Sequence, residues 1–150
     1  MIRILITGAG SYVGESVRTY ILSRFPMRYH IDVVDTMGDN WKQPDYCQYD
    51  VVFHVAGIAH VNAKPKMAPL YYKVNRDLTI EVAKYAKTHG VQQFIFMSSQ
   101  IVFHESKNLK AEIITSNTPT CPNGFYGDSK LQAEIGLHKL ESADFKVCIL

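Results

Sequence analysis

Long apolar runs, charge clusters of one sign and paired cysteines are all missing from this 150-residue sequence. No apolar stretch approaches the roughly 20 residues of a membrane span, so no transmembrane helix is expected. The opening apolar run, residues 2–6, has no charged region before it and meets Gly8 without a cleavage site, so no signal peptide is expected. Sixteen basic and 14 acidic residues leave a formal net charge of +2, and the basic ones are scattered. That argues against a nucleic-acid or membrane-surface partner. The three cysteines, Cys47, Cys121 and Cys148, are far apart with no C-x-x-C spacing. A disulfide framework and a structural zinc are therefore not expected, and a reducing cytoplasm fits best.

What is present suits one globular core, with 47% hydrophobic and 20% charged residues. Short runs rich in branched residues, IRILIT (2–7), HIDVVD (30–35), DVVFHVA (50–56), QFIFMS (93–98) and FKVCIL (145–150), read as strands. They carry little polar alternation, as strands buried on both faces do. Between them, residues 13–23, 71–88 and 126–140 place apolar side chains at helical intervals. In the second of these, Val74, Leu78, Val82 and Tyr85 should share a face, with Gly90 as the stop. Residues 105–124, which include Pro119 and Pro122, read as a loop. Strands alternating with helices imply βαβ units, so the fold class is α/β: a Rossmann-like doubly wound parallel sheet with helices on both faces.

The first chemical motif is ILITGAGSYVGESV, where a strand ends at Thr7 and a helix begins near Tyr12. Gly8 permits a tight turn, Gly10 lets backbone approach a pyrophosphate, and Gly14 allows close packing of helix on strand. The amides at the start of such a helix face phosphates. A glycine-rich turn alone is a weak signal; Asp35, ending the next strand ~20 residues after Gly14, strengthens it as a ribose-binding acid. An acid there favours NAD over NADP by repelling a 2′-phosphate. The plainer alternative for Asp35 is a solvated turn residue.

The second motif is Tyr126-Gly-Asp-Ser-Lys130 at the start of a helix, which places a phenol and an ammonium one turn apart on one face. A cation within ~4–6 Å lowers an acid's pKa by roughly 1–3 units, which would make the phenol usable as a base. Alone, this spacing is more often a surface pair. Ser98 and Ser99 tip the balance, because they end the preceding strand, 27 residues before Tyr126 in the case of Ser99. Ligands of open parallel sheets sit beyond the carboxyl ends of the strands.

Together these residues resemble the extended short-chain dehydrogenase/reductases, within them the UDP-glucose 4-epimerase-like nucleotide-sugar enzymes. TGAGSYVG looks like the family's T-G-x-x-G-x-x-G, and DVVFHVAG (50–57) is similar to its D-x-V-x-H-x-A-[AG]. QQFIFMSSQIVF (92–103) resembles its F-[IV]-x-x-S-S-x-x-V-[YF] strand, and TPTCPNGFYGDSKLQAE (118–134) its P-x-x-x-Y-x-x-[ST]-K-x-x-x-E segment. The resemblance implies Tyr126 as catalytic base, Lys130 as its electrostatic partner and nicotinamide-ribose ligand, and Ser99 as the hydroxyl that meets the reacting sugar oxygen. It further implies a pyrophosphate turn of Gly8, Gly10, Ser11, Tyr12, Val13 and Gly14, and a ribose contact at Asp35. Val55, Ala56 and Gly57 would line the cofactor, with Asn75 near it.

Two departures stand out. Ser11 replaces the family's middle glycine, which would shift the turn or add a hydroxyl contact to phosphate. Only residues 36–49 separate Asp35 from Asp50, where the family fits another helix and strand, so the strand ending at Asp35 matches either the second or the third family strand. Gln100 and Ile101 stand where the related dehydratases carry an Asp-Glu pair, which disfavours elimination of water.

The expectation is therefore an NAD-dependent nucleotide-sugar epimerase, acting on a nucleotide-sugar substrate, with no metal. The alternatives are an NADP-dependent keto-sugar reductase and a non-catalytic dinucleotide-binding module. Family members continue past the position of Leu150 into a substrate domain, so residues 1–150 are expected to form the cofactor domain of a longer enzyme, inactive by itself. The family's long helices pair across a two-fold axis, which implies a homodimer. His54 and His60 are expected to be structural, a strand histidine most often bonding a backbone carbonyl, and Trp41, Tyr46, Tyr49, Tyr71 and Tyr72 to be core or interface aromatics.

Overall fold

The structure, a computed structural model, describes residues 1–59, 64–103 and 113–150. His60 and the first part of the loop expected over 105–124 lie outside them. The elements run β1 (Ile2–Thr7), α1 (Tyr12–Arg24), β2 (Tyr29–Val34), β3 (Val51–His54), α2 (Ala68–Tyr71), a π-helical segment (Tyr72–Leu78), α3 (Thr79–Thr88), β4 (Gln93–Phe96), α4 (Phe125–His138) and β5 (Lys146–Ile149). All five expected strands form, within about two residues of the expected ends.

The strands pair in parallel in the order β2-β1-β3-β4-β5. Packing divides by face. Val13, Val17 and Ile21 of α1 meet Ile6, Ile31 and Phe53 on one side. Val82, Ala83 and Ala86 of α3, with Ala133 and Leu137 of α4, meet Leu5, Val52, Phe94 and Phe96 on the other. Because successive side chains alternate across a strand, β1 supplies Leu5 to one core and Ile6 to the other, and polar alternation is absent for that reason.

This order is that of the common doubly wound sheet, 3-2-1-4-5-6, with its third strand missing. The strand ending at Val34 lies beside β1 and so takes the second place, which settles the ambiguity left by the short link. Two 3₁₀ turns, Asn40–Lys42 and Tyr46–Gln48, occupy that link instead of a helix and strand. They bury Trp41 and Tyr46 edge-on against Tyr85, with ring centroids 5.4 and 5.0 Å away.

The second long helix keeps three of the four residues of the expected face, Leu78, Val82 and Tyr85, against the core, and Val74 falls outside it. Its buried residues are Tyr71, Asn75, Thr79, Val82, Ala83 and Ala86, while Val74 and Leu78 are only half-buried. The π-helical segment changes the winding, so polar Asn75 and Thr79 join Leu78 on the inner side in place of Val74. Gly90, at φ +82°, follows the end of α3 as expected.

Candidate functional site

Thr7, Val34, His54, Phe96 and Ile149 form one row across the five strands, at their carboxyl ends. The candidate residues lie just beyond this row. Gly8 and Ala9 donate their amides to Val34 O (2.9 and 3.1 Å), while Val55 and Ala56 both donate theirs to Thr7 O (3.0 Å). The loops after β1 and β3 thereby close on each other at the point where the chain reverses its direction across the sheet. Gly8 has φ +122°, and a Cβ there would sit 2.7 Å from the Ala56 amide nitrogen. A side chain at this position meets both a forbidden backbone conformation and a backbone wall.

Ser11 behaves differently from a replaced glycine. Its φ is −72°, which needs no glycine, and its Oγ caps α1 by accepting from the Gly14 amide at 3.1 Å. The turn keeps its course, and the hydroxyl is engaged by the helix. Gly14 is buried against Ile6 and Val55. Tyr12 is exposed, Gly10 has φ +75°, and Val13 packs toward the sheet. At the outer strand, the half-buried Asp35 accepts from the Met37 amide (3.0 Å), a local turn that leaves its other oxygen for a donor.

The other half of the site stands on α4. Lys130 is only 5% exposed, its Nζ donates to Met97 O (2.9 Å) just past β4, and the ammonium lies 4.5 Å from the Phe96 ring centroid. Burial pushes its pKa down to about 8, with the Glu134 carboxylate opposing the shift. The ammonium therefore still predominates at pH 7. Gly57 lies over it: a Cβ there would be 3.2 Å from both Lys130 Nζ and Asn75 Oδ1.

Asn75, wholly buried in the π-helical segment, accepts from Ile58 N (2.8 Å) and donates to Ile58 O (3.1 Å) and Ser129 Oγ (3.2 Å). Its amide is thus spent on the loop after β3 and on the neighbour of Lys130. Tyr126 is half-buried, edge-on to Tyr71 with centroids 5.9 Å apart. Beside it, Gly127 has no room for a side chain, since a Cβ would lie 2.7 Å from Ile101 O and 2.8 Å from Pro122 Cβ. This contact lets the turn after Ser99 pack directly on the Tyr126 end of α4.

The two serines at the end of β4 have separate partners. Ser98 donates its hydroxyl proton to Glu134. Ser99 Oγ accepts a long bond from the Ile101 amide (3.4 Å), capping the 3₁₀ turn Gln100–Val102. Accepting that bond leaves the Ser99 proton to give, which is what a group meeting a substrate oxygen needs.

The structure thus brings Gly57, Asn75, Ser99 and Lys130 to the ends of β3 and β4, and the glycine turn and Asp35 to the ends of β1 and β2. Sequence reasoning assigned no role to Glu134, Ser129 or Gly127, although all three fall inside the Tyr126–Glu134 stretch. His54 is buried as expected, but its ring bonds two hydroxyls, Thr7 Oγ1 at 2.7 Å and Thr79 Oγ1 at 3.1 Å, rather than a backbone carbonyl. No helix among the described residues is long and apolar enough to cross a membrane.

A parallel sheet with a glycine turn after β1 and a buried lysine beyond β4 places the molecule in the doubly wound, nucleotide-binding class of α/β folds. More narrowly, the chain belongs to the NAD dependent epimerase/dehydratase family, whose profile it matches over residues 4–150. A UDP-glucose 4-epimerase from Vibrio cholerae is 30% identical over 147 residues, covering 87% of this chain and 44% of that protein. UDP-glucose 4-epimerase 2 from Oryza sativa subsp. japonica is 32% identical over 87 residues, 58% of this chain and 21% of that protein. Among solved structures, the UDP-Glc/GlcNAc 4-epimerase of Campylobacter jejuni superposes with a TM-score of 0.81 at 22% identity, covering 99% of this chain and 52% of that one. The UDP-glucuronic acid 4-epimerase of Bacillus cereus in complex with NAD gives 0.80 at 21% identity, covering 99% and 55%. The chain spans under half the length of these two curated relatives, and these two structural likenesses establish the fold alone.

Proposed function

We propose that this chain is the cofactor-binding and catalytic part of an NAD-dependent nucleotide-sugar epimerase, with Tyr126 as the proton-transferring base. The observation that carries the proposal is Lys130: a nearly buried ammonium bonded to Met97 O, beneath Gly57 and one helical turn from Tyr126. A buried charge is expensive, and one kept at the carboxyl end of a parallel sheet fits a functional group better than a structural one.

The residues fit NAD. Gly57 leaves a cradle beside Lys130 and Asn75 that a Cβ would fill, and the turn of Gly8, Gly10, Ser11, Tyr12, Val13 and Gly14 leads into the start of α1. Lys130 and the Val55–Gly57 loop would hold the nicotinamide end, the glycine turn the pyrophosphate, and Asp35 the adenosine ribose. A carboxylate at Asp35 repels a 2′-phosphate, which favours NAD over NADP. When bound, NAD supplies a hydride acceptor that can return the hydride.

The chain's own groups do the proton chemistry. The Tyr126 phenolate takes the proton of the sugar hydroxyl, stabilised by the Lys130 ammonium, and gives it back at the end of the cycle. Ser99 donates a hydrogen bond to the same sugar oxygen. Asn75 holds the loop at Ile58 beside the Gly57 cradle. Gln100 and Ile101 supply no acid-base pair, so elimination of water is not part of the proposal.

In the full chain, Tyr126→Phe should lower turnover of a UDP-hexose about 10²–10⁴-fold. NAD released on denaturation, measured by mass spectrometry, should remain stoichiometric. Unchanged turnover would overturn the role of Tyr126, and recovery of exchangeable NADPH would point instead to a keto-sugar reductase. The proposed assembly is a homodimer, tested by light scattering across a dilution series. The proposed compartment is the cytoplasm, where the free thiols of Cys47, Cys121 and Cys148 stay reduced.

A further inference from the structure

One line of buried hydrogen bonds joins the two halves of the site. It starts at Thr7, the last residue of β1 and the one before Gly8, whose Oγ1 meets His54 Nδ1 at 2.7 Å. His54 Nε2 meets Thr79 Oγ1 at 3.1 Å, and the Thr79 hydroxyl donates to Asn75 O at 2.9 Å. Asn75 then binds Ile58 and Ser129 through its side chain. Thr7, His54, Asn75, Thr79 and Ser129 are all fully buried, so each polar group must find its partner within the protein.

Proton counting fixes the direction. Thr79 spends its proton on Asn75 O, so at Nε2 it accepts and His54 donates. Nδ1 is then the acceptor, and Thr7 gives its proton to it. The imidazole is held neutral as the Nε2–H tautomer, in keeping with burial and the Lys130 charge pushing its pKa down to about 3. His54 also stacks on Phe96 (centroids 6.1 Å apart), the ring beneath the Lys130 ammonium.

We infer that His54, through Thr7 and Thr79, is a positioning residue that locks the π-helical turn carrying Asn75 and so holds Lys130 and the glycine turn in one fixed relation. The winding itself supports this. Single π turns within helices are commonly found at functional sites, and here the π segment ends at Leu78, where the Thr79 hydroxyl reaches back to Asn75. The inference rests on the proposed role of Lys130 in the cofactor site.

The test compares Thr79→Val, which keeps the shape and removes the hydroxyl, with Thr79→Ser, which keeps the hydroxyl. Two quantities are read in the full chain: NAD affinity by calorimetry, and the ionisation of Lys130 by NMR with lysine labelled at Cε. Lys130 is faced by Glu134 on its own helix and by His54 from β3, so loosening the segment should move its titration midpoint by about half a unit or more. Thr79→Val is expected to show that shift together with about tenfold weaker NAD binding, and Thr79→Ser to restore both. Equal behaviour of the two variants, or no change in a folded Thr79→Val protein, would overturn the inference. If Thr79→Val does not fold, Thr7→Val against Thr7→Ser asks the same question from the other end. Should the wild type bind no NAD, the proposed function fails, while the Lys130 titration still decides the positioning role.

Discussion

The turn after β1 and the Tyr126–Lys130 turn of α4 serve one site by opposite means. The first is a shape of the main chain: Gly8 and Gly10 take positive φ, Tyr12 points into solvent, and Ser11 is a helix cap. The second is held by side chains that are almost wholly buried, Lys130, Ser129 and Asn75 among them. A site built from backbone tolerates a changed side chain wherever φ allows it, and for that reason Ser11 can stand in place of glycine. A site built from buried polar groups tolerates few changes, because every unpaired donor or acceptor there costs about 1–3 kcal/mol.

The sharpest way to break this contrast is Gly8→Val. It forces a side chain into φ +122° and onto the Ala56 amide, and should cost about 3–5 kcal/mol in thermal unfolding while abolishing cofactor binding. Retained stability would mean that the two loops can part.

A smaller effect concerns the buried charge. Lys130 loses its proton more easily when folded, near 8, than when unfolded, near 10.5, so the unfolded chain binds more protons between those values. Stability therefore rises with pH across that window, by about 3 kcal/mol at most. The difference in unfolding free energy between wild type and Lys130→Met, measured from pH 7 to 11, should grow by that order, and a flat difference would place the ammonium in water. Smallest is Ser11→Ala, which removes a cap worth about 1 kcal/mol and should leave NAD affinity within about threefold. A large loss of affinity would assign the hydroxyl to the phosphate after all.

The main-chain half of the site was the more legible in the sequence, because glycine spacing and strand patterning are local signals. β1 occupies the residues expected of it, and α1 begins at Tyr12 as expected. The side-chain half was legible only in its endpoints. Tyr126, Lys130 and Ser99 carry a recognisable spacing, but the Met97 carbonyl that holds Lys130 and the Gly57 that leaves it room are brought near only by the packed sheet.

The π-helical winding of Tyr72–Leu78 was not legible. It depends on buried bonds from Asn75 to residues 17 and 54 positions away, so a regular period assigns Val74 to the inner face and passes over Asn75. The place of β2 was likewise undetermined until pairing with β1 fixed it, since a short link is compatible with losing either strand.

The contact between Gly8 and Ala56 has a consequence for the order of assembly. The loop after β1 takes its form against residues of β3's far end, and the neighbouring pair Thr7 and His54 is 47 positions apart in the chain. A growing polypeptide that has emerged only as far as β2 therefore carries the glycine sequence without the cradle. Ligand capture should accordingly come late in refolding, after the central three strands have docked, and added NAD should slow unfolding more than it speeds folding.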